Sequence, residues 1–233
     1  MKTHSLVGSL NCDSNQILSD LYQYGCPKVV THKESIEIIR SQGGNFTPEL
    51  TSPEVDMPHN GVYTQEDCAQ HMIDEYIEAG VPPENVWPQS FNPPDVYYWV
   101  ENTDYGAQAV ALDANDGSTK QEVEDFADEL VANGVQIVAP PMWRLVDPDP
   151  TTPLKMKPSH HAIYAKAAGL DIITWTIELT GPGLNGYYWQ TLNAAGVPLV
   201  DGDNFALLCI LGTFSDWPAT VTFFANCYKL KLR

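Results

Sequence analysis

Six groups of residues could act on a substrate, and each stands where a run of β-formers ends: Glu49; Gln89 with Ser90; Asp113; Trp143; Trp175 with Glu178; and Asp216. A carboxylate beside buried β-formers is costly unless it is hydrogen-bonded, paired or bound to a cation. Glu49 and Glu178 therefore carry the most weight. Asp216, with Pro218 two residues on, reads as a helix cap, as does Asn92 ahead of Pro93. Asp113 reads as the start of a loop. Trp143 and Trp175 fit either a core or the wall of a pocket. The histidines add little. His4 lies in an irregular start, His32 and His161 at helix starts, His71 on the polar side of a helix, His59 in a loop and His160 just ahead of a helix. None is expected at a strand end.

These positions need elements to hold them. Runs of β-branched and apolar residues predict strands at 46–50, 86–91, 109–113, 135–139, 170–177 and 207–213. Helices fit between them. One opens at Thr31 or His32 and turns Ile36, Ile39 and Ile38 inward. A second is capped by Thr64, with Asp67 three residues on as in a capping box, and buries Cys68, Met72, Ile73, Tyr76 and Ile77 before Gly80. A third carries Val96, Tyr97 and Val100. A fourth, capped by Ser118 or Thr119, carries Val123, Phe126, Leu130 and Val131. Further helices are predicted near 161–168, over 183–195 and after Asp216. Residues 140–158, rich in Pro and Asp, read as a long surface loop with a functional role.

Apolar strands alternating with amphipathic helices make a parallel sheet covered by helices. No Gly-rich phosphate fingerprint follows any strand, which argues against a dinucleotide fold. The expected fold class is α/β, a TIM (β/α)8 barrel that is incomplete, with about six of the eight strand–helix units present. Residues 1–28 read as an irregular N-terminal remnant and 29–233 as a partial barrel domain.

The 233 residues carry 12 basic and 30 acidic side chains, a formal net charge of -18. Phosphate polymers and anionic membrane surfaces are repelled by such a chain, so no nucleic-acid partner is expected. No apolar run approaches the roughly 20 residues of a membrane span. The five cysteines form neither a CxxC pair nor a zinc spacing. Cys68 and Cys209 are expected as buried free thiols, and Cys12 and Cys26 bracket a loop that could pair in an oxidising compartment.

Four segments, in order and at strand ends, resemble the glycerophosphodiester phosphodiesterase family, in particular its fungal variety. They are Phe46-Thr47-Pro48-Glu49-Leu50, Val86-Trp87-Pro88-Gln89-Ser90-Phe91, the run from Ala165 to Thr176 with Gly169-Leu170 and Thr174-Trp175-Thr176, and Phe214-Ser215-Asp216-Trp217-Pro218. The resemblance implies a barrel that hydrolyses glycerophosphodiesters to glycerol 3-phosphate and an alcohol, using a divalent cation, Mg²⁺ or Ca²⁺, and two histidines as acid and base. It makes Glu49 a metal ligand and places Gln89, Trp175 and Glu178 at the substrate. Relatives of this variety look secreted, which implies an extracellular location.

The departures from that pattern are large. The family's first strand carries His-Arg-Gly, and its second Glu-x-Asp followed by His-Asp; neither stands ahead of Glu49. The lysine expected two residues after Glu49 is Thr51. The missing motifs and the two missing units coincide, so the chain is expected to be an N-terminally truncated member with almost no activity of its own. Two alternatives stand beside this. Glu49 and Glu178 could be the acid–base pair of a barrel glycoside hydrolase, or the chain could be a non-catalytic fragment or binding module.

Overall fold

The computed structural model describes residues 29–114, 119–152, 156–175, 212–214 and 226. The chain divides into two compact units, Met1–Val110 and Ala111–Arg233.

In the first unit, α1 (His32–Ser41), α2 (Gln65–Glu78) and α3 (Pro93–Asn102) accompany β1 (Glu49–Leu50) and β2 (Gln89–Ser90). Thr31 and Thr64 start α1 and α2 with full capping boxes, their side chains accepting from Glu34 and Asp67 N–H and receiving the reciprocal bonds. Asn92 stands at the N-cap of α3, but its side chain makes no capping bond to the backbone. It donates instead to Asp95 Oδ1 at 2.9 Å. β1 and β2 run parallel with Glu49 opposite Gln89 and Leu50 opposite Ser90. Val110 N–H extends the pairing to Pro88 O at 2.8 Å.

The covered stripe of α2 is Ala69, Met72, Ile73 and Tyr76, the i, i+3, i+4, i+7 spacing of one helix face. Ile77 falls on the rim of that stripe and is 56% exposed. Cys68 is a free thiol and only half-buried. Ile38 likewise faces out while Ile36 is buried. Trp99 of α3 is fully buried and donates through Nε1 to Ala69 O at 3.1 Å, which ties α3 to α2. Gly106 lets the turn after α3 pack against the backbone of α3. A Cβ there would lie 2.4 Å from Val100 Cα and 2.5 Å from Trp99 O.

The second unit opens within β3 (Val110–Leu112) and continues through α4 (Lys120–Ala132), β4 (Ile137–Ala139), β5 (Val146–Pro148), β6 (Met156–Pro158), α5 (His160–Ala167), β7 (Asp171–Thr174) and β8 (Gly212–Thr213). Thr119 caps α4 with a third capping box. β4 pairs parallel with β7, and β7 parallel with β8. Asp113 N–H donates to Ala139 O at 3.0 Å at the end of β3. Ala111, Leu112, Leu130, Val138, Ala139, Leu145, Leu170 and Ile172 make the core here.

β1, β2, β3, β4, β7 and β8 lie within the six predicted strand segments. The stretch 140–158 is not a plain loop. β5 and β6 pair antiparallel, Val146 to Pro158 and Pro148 to Met156. A proline ends each strand, and its missing N–H stops the ladder. The helices predicted over 183–195 and after Asp216, and Cys12, Cys26, Cys209 and Cys227, lie outside the described residues. Among those residues no helix is long and apolar enough to cross a membrane.

Candidate functional site at the strand ends

Register places the first pair. Glu49 and Gln89 are direct neighbours across β1 and β2, and partners in a parallel pair project to the same face. Glu49 is half-buried, and Gln89 is only 6% exposed. Gln89 Nε2 reaches Thr47 O at 3.5 Å. Its Oε1 is buried without a hydrogen-bond partner, as is Thr47 Oγ1. Thr51, where the resemblance leads one to look for lysine, is half-buried.

Ser90 has a different task. Its Oγ lies 3.0 Å from Leu50 O and 2.8 Å from Asp95 Oδ2, and accepts from Asn92 N–H at 3.0 Å. Asp95, 2% exposed, also accepts from Gln65 Nε2 at 3.0 Å. Burial raises the Asp95 carboxyl above its ordinary range, and these hydrogen bonds oppose the rise. This network joins β2, α2 and α3 and is structural.

Glu49 and Gln89 Oε1 are both hard oxygen donors of the type Mg²⁺ and Ca²⁺ take. Such cations need about six or more oxygens. Among the described residues no group of three His, Cys, Asp or Glu side chains could hold a metal ion. Glu49 and Gln89 by themselves supply fewer oxygens than such a cation takes.

In the second unit Trp175 follows β7. Its Nε1 donates to Ala139 O at 2.8 Å, and its ring meets Trp143 edge to face, with centroids 5.7 Å apart. Both rings are half-buried. Thr174 is fully buried and donates to Pro140 O at 2.9 Å. Ala139 O thus receives both the Trp175 indole N–H and the Asp113 backbone N–H.

Asp113 does more than begin a loop. It is 4% exposed, and its Oδ2 lies 3.7 Å from His161 Nε2. His161, in the first turn of α5, is itself 7% exposed. The reading that no histidine reaches a strand end is corrected. The first turn of α5 stands beside the end of β3, so a helix-start histidine is delivered there. The signal in the sequence was Ser159-His160-His161 after a Pro-rich stretch; Ser159 caps the helix and the histidines follow at once. Burial pushes the His161 imidazole below its ordinary value, with Asp113 opposing and Arg144 and His160 adding to the depression. Glu178 and Asp216 lie outside the described residues.

Solved structures share this architecture. A protein from Agrobacterium tumefaciens assigned as a glycerophosphoryl diester phosphodiesterase superposes with a TM-score of 0.55 at 14% identity, over 87% of this chain and 66% of its own. A glycerophosphodiester phosphodiesterase from Parabacteroides distasonis gives 0.53 at 11% identity, over 84% and 64%. The fold is therefore the α/β barrel fold of these phosphodiesterases in incomplete form, and the chain spans about two-thirds of the length of both proteins. In sequence, an "Extracellular protein" of Arthroderma benhamiae is 36% identical over 228 residues, covering 91% of each chain. This chain belongs to the same family as that protein. No family model matches the sequence.

Proposed function

We propose that this chain is an extracellular protein of the phosphoric diester hydrolase class that recognises glycerophosphodiesters and hydrolyses them poorly or not at all. The observation that supports this best is the in-register pair of Glu49 and Gln89 at the ends of β1 and β2, set in a fold shared with phosphodiesterases. Gln89 brings a buried amide oxygen without a partner. An orphaned buried acceptor costs on the order of 1–3 kcal/mol, a cost that a donor from a ligand hydroxyl removes. Glycerol presents such hydroxyls.

Glu49 offers one carboxylate to Mg²⁺ or Ca²⁺, and one is too few to retain either firmly. The places of Trp175 and Glu178 at a substrate rest on the sequence resemblance alone. The extracellular location rests on the name of the A. benhamiae relative.

The test is incubation of the full chain with glycerophosphocholine and Mg²⁺ or Ca²⁺, with enzymatic detection of glycerol 3-phosphate. Product at background, unchanged by EDTA, is the expected result. Sustained turnover that EDTA abolishes overturns the claim of poor hydrolysis and of weak cation retention.

A further inference from the structure

His161 is buried, yet its Nδ1 has no hydrogen-bond partner. The opposite nitrogen, Nε2, faces the buried Asp113 carboxylate at 3.7 Å. That distance is longer than a hydrogen bond and just within ion-pair range. A carboxylate on one side of an imidazole draws the ring proton to the near nitrogen, which leaves a lone pair on the far one. Nδ1 is then an acceptor in need of a donor, in a place where leaving it unmet is costly. The place is also suited to chemistry. Asp113 stands just past β3, its N–H shares the Ala139 carbonyl with Trp175 Nε1, and the Trp143–Trp175 pair stands alongside. Strand ends of this kind carry the active sites of parallel α/β barrels.

We propose that His161, oriented by Asp113, is a proton-accepting site for a hydroxyl-bearing ligand, water or an alcohol, at the strand ends of the second unit. In the transfer the ligand's O–H bond breaks and its proton forms an N–H bond at Nδ1. The electron pair stays on the oxygen as the nucleophile, and the Asp113 carboxylate stabilises the imidazolium. The charged groups acting on His161 are Asp113, Arg144 of the turn after β4, and His160 next to it on α5. His160 is in turn held 2.9 Å from Glu124 of α4. The inference goes beyond the glycerophosphodiester reading and stands whether or not that substrate is correct.

Acylation by diethyl pyrocarbonate tests it, because the reagent attacks only an unprotonated and reachable imidazole. Folded wild-type chain is treated across the acid-to-neutral range, and the modified residues are located by peptide mass. Acylation of His161 is expected, with a midpoint below 6.5. D113N moves that midpoint further down and R144Q moves it up, so either variant suffices if the other does not fold. Glycerol slows the acylation if an alcohol is the donor and leaves it unchanged if water is. The proposal is overturned if His161 stays unmodified while the exposed His59 and His71 react, or if its midpoint ignores both substitutions.

Discussion

Asp95 is a buried carboxylate whose role is structural. It receives hydrogen bonds from Ser90, Asn92 and Gln65 at 2.8–3.0 Å. D95A strands these donors in a buried site, and a loss of about 3 kcal/mol in urea unfolding is expected. The buried histidines predict a pH dependence. Burial lowers His161 and His32 below 6.5, with Glu75 opposing the shift at His32 from 2.5 Å. A base that is harder to protonate folded than unfolded lets the unfolded chain bind more protons as pH falls. The stability these two contribute is therefore complete above 6.5 and is lost as pH drops through their lowered values. Asp95, raised above 3.8, has the opposite dependence: its contribution is complete below 3.8 and is lost as pH rises through its folded value. Urea midpoints should fall between about pH 7 and pH 5, and fall less in H161Q. A flat profile over that range contradicts the burial argument. At this scale the sequence was a partial guide. The strand positions of Glu49 and Gln89 were legible because a polar residue ending a run of β-formers is itself a signal. The Asp113–His161 contact was not, because it joins the end of β3 to the start of α5, five elements later, and only packing brings them together.

Among the elements, what was legible is what local physics specifies. Thr31, Thr64 and Thr119, each with an acid three residues on, fix the starts of α1, α2 and α4. The six strands were legible because each lies within a run of apolar and β-branched residues. The β5–β6 hairpin was hidden because Val146-Asp147-Pro148 and Met156-Lys157-Pro158 are only three residues long and end in proline. Ile77 was misplaced because periodicity alone does not say where the covered stripe of a helix stops. Gly106 gave no sign of its importance, since a close approach of backbone to backbone is invisible in sequence. G106A drives a methyl to within 2.4 Å of Val100 Cα, and a loss of about 1–3 kcal/mol is expected from such overpacking. Denaturant titration checks this; a variant as stable as wild type contradicts the close contact described.

For the whole molecule, the expectation of an incomplete barrel agrees with solved phosphodiesterases of which this chain spans about two-thirds. Fold alone does not establish a reaction, so the account rests on whether the strand-end pair of the first unit binds the ligand proposed for it. The most direct measurement is calorimetric titration of glycerophosphocholine into the full chain and into E49Q, in Mg²⁺. Saturable binding to wild type, weakened about tenfold in E49Q, a change of about 1.4 kcal/mol, is the predicted result. No binding, or equal binding to both proteins, contradicts it.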